Sequence, residues 1–388
     1  MINRHLAEKA RLLSTKFPIV ALTGARQSGK STLVKHLFSD KPYVSLEDPD
    51  VQLIAQTDPR GFLSNYPNGA ILDEIQHVPA LFSYLQTIVD AQDKTGLFIL
   101  SGSQNFLLMQ NISQSLAGRV ALLKLLPFSY EELTTTEFKH AQIDDWLLKG
   151  FYPRLYDRNI DPQDYYPNYI KTYLERDVRL LKNINDLSLF NRFMKLCAAR
   201  IGTVLNYASL ANDCGVAVNT IKAWVSVLEA SYVVYLLPSY HQNFNKRLIK
   251  APKIYFYDTG LASALLNIQT TTQVSTHYLR GGLFENLIIS EVIKYFYNQG
   301  KDAPCYFWQN QVGKEIDLIV EMPNGVKAFE IKSSMTLNKS FFNNLTYWKG
   351  LVSEQIKVET HVVYAGNQLF KTSNGDYIRL EDIKQYLM

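Results

Sequence analysis

Gly24-Ala25-Arg26-Gln27-Ser28-Gly29-Lys30-Ser31-Thr32 is the stretch on which the reading of this chain turns. It satisfies G-x-x-x-x-G-K-[ST] without a mismatch. The apolar run Ile19-Val20-Ala21-Leu22 leads into it and reads as a buried strand, and Thr32 to Phe38 reads as the helix that follows. Strand, glycine loop and helix together form a cradle for phosphate. The glycines let main-chain N–H groups turn inward, and the helix N-terminus adds partial positive charge. In such a cradle Gly24 to Thr32 wrap a nucleoside triphosphate. Lys30 reaches its β- and γ-phosphates, and the Ser31 hydroxyl is a ligand for Mg²⁺.

The neighbouring sequence supplies the partners this loop needs. Tyr43-Val44-Ser45-Leu46 reads as a second strand, and Ala70-Ile71-Leu72 as a third that ends in Asp73-Glu74. An apolar run closing on two acids suits Asp73 to the Mg²⁺ shell and Glu74 to deprotonating the attacking water. A fourth strand, Leu97 to Leu100, is followed by Ser101-Gly102-Ser103-Gln104-Asn105. In the additional-strand class of NTPases this strand lies between the other two catalytic strands. A polar residue at its tip senses the γ-phosphate, here Ser103 or Gln104. Arg119 precedes a fifth strand, Val120 to Leu126, and is a candidate charge-stabilising finger toward its own nucleotide or a neighbour's.

The chain has 388 residues, enough for two or three domains, with 47% hydrophobic and 20% charged residues. A net charge of +4 permits contact with nucleic acid without arguing for it. Cys197, Cys214 and Cys305 are scattered, with no metal-binding spacing. No apolar run is long enough to span a membrane, and the polar start Met1-Ile2-Asn3-Arg4-His5 lacks a signal-peptide core. The expectation is a cytoplasmic chain with no membrane partner.

The phosphate loop, "SLEDPD" (Ser45 to Asp50), "LDEIQ" (Leu72 to Gln76), "LSGSQ" (Leu100 to Gln104), "LAGRV" (Leu116 to Val120) and "YLERDV" (Tyr173 to Val178) together resemble the prokaryotic AAA-type ATPases that carry an uncharacterised C-terminal domain. The likeness covers nearly the whole chain and implies binding of ATP with Mg²⁺, and its hydrolysis. Gln104 stands where many related ATPases have Asn. The same likeness makes Arg176 a second nucleotide-sensing arginine; its neighbours Glu175 and Asp177 equally suit an intrahelical charge lattice.

Beyond Pro127-Phe128-Ser129, helical spacing over Asp144 to Gly150 and Tyr165 to Leu181 predicts a small lid. Tyr207 to Asp213, a turn at Cys214-Gly215-Val216, and Thr220 to Glu229 capped by Asn219 predict a helix-turn-helix. Tyr232 to Leu236 and Lys253 to Tyr257 then read as wing strands around a basic turn with His241, Lys246, Arg247 and Lys250. The second helix offers Asn219, Thr220, Lys222 and Ser226 but no arginine, which argues against base readout. Two uses stand side by side: phosphate contact through the basic wing, or a packing module.

Near the C-terminus, Gly281-Gly282 opens a helix, Leu283 to Tyr297, with Glu285 in its first turn. Tyr306 to Trp308, Glu315 to Glu321 and Val326 to Lys332 read as strands. Asn324-Gly325 reads as the two-residue turn of a hairpin. With that turn, Asp317 faces Lys332 and Ile319 faces Glu330, all four on one face of the sheet. The carboxylates of Asp317 and Glu330 can converge on a hard cation, Mg²⁺ or Mn²⁺, and Lys332 can polarise its water. This D…ExK pattern resembles the restriction-endonuclease-like nuclease core, and Glu285 matches the acid that such proteins often carry on the preceding helix. A plain cross-strand Asp317–Lys332 ion pair is the alternative.

The predicted architecture is α/β: a P-loop, additional-strand AAA-like parallel sheet (1–130), a helical lid (131–190), a winged helix-turn-helix (191–268) and a restriction-endonuclease-like domain (269–388). The predicted function is ATP hydrolysis coupled to action on DNA, with an ATP-dependent switch or scaffold as the rival. A homo-oligomer would let Arg119 complete a neighbour's site.

Overall fold

The computed structural model describes residues 2–102, 112, 115–138, 142–174, 186–241 and 251–388, with only the backbone at Tyr173 and Leu174. Gln104, Arg176, Lys246, Arg247 and Lys250 lie outside the described residues, as does the other sensor candidate, Ser103. The chain forms two compact units. The first is Met1–Phe128 with Ala230–Tyr232 and Phe296–Lys301, and the second comprises Ser129–Glu229, Val233–Tyr295 and Asp302–Met388.

The first unit is built on a parallel sheet of β1 (Ile19–Thr23), β2 (Tyr43–Ser45), β3 (Ile71–Asp73), β4 (Phe98–Gly102) and β5 (Val120–Lys124), in the order β2-β3-β4-β1-β5. The extra strand β4 lies between β1 and β3, as the additional-strand reading requires. Successive side chains of a strand point to opposite faces, and both faces of β1, β3 and β4 are covered, which is why these strands read as unbroken apolar runs, whereas the edge strand β5 leaves Leu122 exposed. Ile19 and Ala21 pack with Leu81, Phe82, Leu85 and Val89 of one helix (Leu81–Gln92). Val20 and Leu22 pack on the other face with Leu6 and Ala10 of α1 (Leu6–Ser14) and Leu33 and Val34 of α2 (Lys30–Leu37). Two later segments complete this unit. Tyr232, at φ 55°, bonds its hydroxyl to Thr23 Oγ1 at 2.8 Å, and the Lys124 ammonium lies 4.6 Å from the Tyr297 ring centroid.

The second unit begins with a helix, Tyr130–Thr134, closed by a capping box between Ser129 and Glu132. Helix Ile143–Lys149 follows where helical spacing predicts it; helix Pro162–Tyr169 starts ahead of the predicted span Tyr165 to Leu181, whose part from 175 on lies outside the described residues. In the next stretch lie α3 (Tyr207–Cys214), capped by Asn206, then Gly215 at φ 74°, then α4 (Val218–Ala230). The second helix starts earlier than expected. The Ala217 carbonyl accepts from the N–H groups of Thr220 and Ile221, so Asn219 sits inside the first turn instead of capping it. Strands β6 (Val234–Leu237) and β7 (Lys253–Phe256) pair antiparallel.

The remainder forms α5 (Arg280–Asn298), whose last residues belong to the first unit, then β8 (Cys305–Gln309), β9 (Glu315–Met322), β10 (Gly325–Lys332), α6 (Asn343–Lys349), β11 (Val358–Tyr364), β12 (Phe370–Thr372) and β13 (Gly375–Ile378). The sheet order is β12-β13-β11-β10-β9-β8, with β8, β9 and β10 antiparallel and β11 parallel to β10.

The hairpin register differs from the expected one. Met322 pairs with Gly325, and Ile319 with Ala328, so the turn residues are Pro323-Asn324 instead of Asn324-Gly325. Proline presets the φ of the first central turn position. Gly325 is needed for another reason: at φ 146°, a Cβ there would meet the Lys357 carbonyl at 2.2 Å as the chain enters β11. Continued, the observed register sets Asp317 across from Glu330 and Glu315 across from Lys332. A slip of two preserves the face of every side chain while changing its partner.

Candidate functional site

The phosphate loop follows β1 at the C-terminal end of the sheet. Gly24 (φ 147°), Gln27 (φ 59°) and Gly29 (φ 93°) all adopt positive φ, curling the loop into a nest. Gly24 cannot be otherwise, because a Cβ would lie 1.9 Å from the Leu125 carbonyl oxygen. Lys30 is buried, its ammonium donating to the carbonyls of Gly24 (3.0 Å) and Ala25 (2.8 Å). Ser28 is fully buried and its Oγ has no hydrogen-bond partner. An orphaned hydroxyl inside a nest of amides fits a loop built to close on an anion. Arg26 and Gln27 are half-buried and the Thr32 side chain is exposed on α2. Arg4, which sequence reasoning missed, grips the loop from behind, with Nη1 donating to Ser28 O at 2.8 Å and Nη2 to Leu126 O at 2.6 Å.

Asp73 ends β3 beside this loop. Its Oδ2 accepts from Ser31 Oγ at 2.7 Å and from the Tyr43 hydroxyl, and its Oδ1 accepts from Ser101 Oγ. Three hydroxyl donors fix the carboxylate next to Ser31, and this pair of oxygen donors fits Mg²⁺. Burial, and then the bond to Asp73, push the Tyr43 phenol up. Tyr43 opens β2 and Ser101 is the penultimate residue of β4, and only the pairing of these strands with β3 brings both hydroxyls to Asp73. Glu74 follows at φ 53°, a left-handed conformation that non-glycine residues seldom adopt, and accepts from the Gln76 side-chain amide.

Arg119 does not approach the nucleotide site of its own chain. It immediately precedes β5, which runs parallel to β1 with Ile19 beside Val120, whereas the phosphate loop follows β1. Five strand residues separate the two ends, about 16 Å at roughly 3.3 Å per residue. There the guanidinium pairs with Asp90 through Nε (2.5 Å) and Nη2 (2.8 Å), and holds that carboxyl below its ordinary range.

The second unit brings Glu285, Asp317, Glu330 and Lys332 into one cluster, together with three residues the sequence reading did not single out: Lys253, Tyr255 and Glu315. Ligand oxygens of Glu285, Glu315 and Asp317 all lie within 4.8 Å of one another; Glu330 stands outside that triad. The buried Lys253 ammonium bonds Glu315 Oε1 and lies 3.2 Å from Glu285 Oε1. The Tyr255 hydroxyl donates to the same Glu285 oxygen, and Gln309 donates to Glu315 Oε2 at 3.1 Å. Asp317 Oδ2 accepts the Ile331 N–H at 2.7 Å and lies 3.6 Å from Lys332 Nζ. Lys332 also bonds Glu330 Oε1 at 2.7 Å, while Glu330 Oε2 is buried with no partner. A buried carboxylate oxygen left over by the side chains beside Asp317 suits a ligand of a hard cation.

The electrostatics agree. Burial and then the Asp317 charge raise Glu330 to about 8 and Glu285 to about 7, against 4.5 ordinarily. Burial also raises Glu315. Burial alone would depress the Lys253 ammonium, but Glu285 and Glu315 outweigh it and raise its pKa.

On α4, Asn219, Lys222 and Ser226 are exposed and Thr220 is half-buried, while Ile221, Trp224, Val225 and Leu228 face inward. Among the described residues no helix is long and apolar enough to cross a membrane.

Residues 16–134 match the family model of the AAA domain, and with the phosphate loop, Asp73 and the strand order this part of the chain is an AAA-type P-loop ATPase domain. Residues 140–272 and 280–383 match two further models, each described as a domain of unknown function (DUF8612 and DUF4143). An uncharacterized protein of Mycobacterium tuberculosis is 29% identical over 374 residues, spanning 96% of this chain and 82% of that relative. An uncharacterized protein of Methanocaldococcus jannaschii is 20% identical over 360 residues, spanning 82% and 77%. Among solved structures, the Walker-type ATPase of Pyrococcus abyssi is similar at 14% identity and a TM-score of 0.38, covering 68% of this chain and 96% of that one.

Proposed function

We propose that this chain is an ATP-hydrolysing AAA-type ATPase that acts on DNA, with a C-terminal domain that cuts phosphodiester backbone in a Mg²⁺- or Mn²⁺-dependent way. In the first unit Lys30 leaves the loop carbonyls to hold the β- and γ-phosphates. Ser31 and Asp73 would hold Mg²⁺, and Glu74 would take the proton of the attacking water. Arg119, distant from its own loop, half-buried and paired with Asp90, suits a role in a neighbouring copy's site, and so an oligomer. Residues 131–190 are the lid and 191–268 the winged helix. Without arginine on its exposed face, α4 favours contact with phosphates over base readout.

The observation that carries the nuclease reading is the placement of Asp317, Glu330 and Lys332 on one face of the β9–β10 hairpin, with an orphaned Glu330 oxygen. The order of helix α5, antiparallel β8-β9-β10, helix α6 and parallel β11 supports it, because the nuclease-like core needs a helix before its hairpin and a parallel strand beside it. A bound cation would supply charge for the scissile phosphate. Asp317 and Glu330 would hold it, and Lys332 would orient the water.

Mn²⁺-dependent nicking of supercoiled plasmid tests the reading. Nicking by the wild-type protein should vanish in Asp317→Ala and in Lys332→Ala. Equal nicking by both variants would refute it. ATP turnover without any nicking by the wild type would instead favour the nucleotide-dependent switch.

A further inference from the structure

Asp317 borders two places where a positive charge could sit. One is among Glu285, Glu315 and Asp317, the triad whose oxygens lie within 4.8 Å of one another. The other is between Asp317 and Glu330, flanked by Lys332. The first already holds a cation. Lys253 comes from β7, its side chain 2% exposed, and its ammonium meets Glu285 and Glu315. Tyr255 and Gln309 bind the same two carboxylates, so little lone-pair capacity is left there. At the second place Glu330 Oε2 is buried and has no partner.

We propose that Lys253 is a built-in cation that occupies the second metal position, so that the C-terminal site takes one divalent ion, between Asp317 and Glu330. The inference rests on the metal-site reading above and deepens it. Charge supports the count. When ionised, Glu285, Glu315, Asp317 and Glu330 face two ammonium groups, Lys253 and Lys332, leaving two negative charges for one divalent ion to neutralise. A second divalent ion would bring excess positive charge into a buried cluster, where unbalanced charge is costly. Lys253 is therefore a positioning residue: it holds Glu285 and Glu315 away from the metal and leaves Asp317 and Glu330 to bind it.

The test counts Mn²⁺ by titration calorimetry and electron paramagnetic resonance on the full chain, without nucleotide and in an Asp73→Asn background that silences the phosphate-loop site. One ion per chain is expected, rising to two in Lys253→Met, where the freed triad becomes a ligand set. Lys253→Arg should keep the count at one. Two ions before and after the substitution, or one in both at equal affinity, would overturn the proposal. An ion that binds only in Lys253→Met would overturn it as well. No binding by any of these proteins would remove the metal-site reading itself. Because Lys253→Met leaves two buried carboxylates unpaired and could unfold, a second pair of variants bears on the same point. Glu315→Gln should hold the count at one with affinity within three-fold, and Glu330→Gln should weaken binding at least ten-fold. Equal losses in the two would place Glu315 among the ligands and refute the role of Lys253.

Discussion

Removing Arg4 should weaken ATP binding although the residue lies outside the phosphate-loop motif and was not legible as part of it. Its guanidinium spans two carbonyls, Ser28 O in the loop and Leu126 O beyond β5, and its carbon atom lies 4.8 Å from the Phe128 ring centroid. Each hydrogen bond from a charged donor contributes roughly 1.5–3 kcal/mol, so Arg4→Met removes on the order of 3–6 kcal/mol of local stabilisation before any rearrangement. The loop is then held mainly from its two ends. If Gln27 and Ser28 lose their fixed conformation, ATP must order them on binding, at roughly 1–2 kcal/mol of backbone entropy each. The dissociation constant should rise by about 30-fold to several hundred-fold. Calorimetric titration with ATP and Mg²⁺ measures this directly, with circular dichroism to establish that the variant is folded. Arg4→Lys keeps the charge but not the planar fork that reaches two acceptors, and should fall between the two. A folded Arg4→Met protein that binds ATP within three-fold of the parent would refute the argument.

Lys30→Ala removes the ammonium and should weaken ATP by about 100-fold or more, roughly 2.7 kcal/mol, in the same titration; retained affinity would refute the loop assignment. Glu74→Gln should bind ATP but release no phosphate, and normal turnover in a phosphate-release assay would count against its role as base. The C-terminal cluster gives a pH prediction. Glu285 and Glu330 are raised to about 7 and about 8 from 4.5, so the folded state favours their protonated forms. That stabilisation is fully present below pH 4.5 and is lost as pH rises through 7 and 8. In EDTA the melting temperature should therefore fall between pH 6 and 8.5, and fall less steeply in Glu330→Gln; a flat profile in the wild type would contradict the assignment.

What could be read from the sequence was the chemistry that is contiguous along the chain. Gly24 to Thr32 lies in one stretch, as does the strand ending in Asp73-Glu74, and the place of β4 between β1 and β3 followed from the class of loop. Residues brought in by topology were not legible: Arg4 from before the first helix, Tyr43 and Ser101 from neighbouring strands, and Lys253 and Glu315 in the carboxylate cluster. The hairpin is the instructive case. Asn324-Gly325 is a strong turn signal, but Gly325 is required by the close passage of Lys357, and Pro323 takes the turn. The common face survived because the slip was two residues, while the partners changed and Glu315 came opposite Lys332. Of the two uses open to Arg119, a finger toward its own nucleotide or toward a neighbour's, the strand register bears on the first: a residue before one parallel strand stands at the opposite end of the sheet from a loop that follows the next.

The first unit is not a contiguous cassette. Tyr232 and Tyr297 sit against Thr23 and Lys124, yet the gene encodes them about a hundred and about a hundred and seventy codons beyond Phe128. Recombination that exchanged only the leading segment between homologues would therefore bring a foreign tyrosine to β1 and to β5. Crossovers should be tolerated only where both later patches travel with the loop they brace.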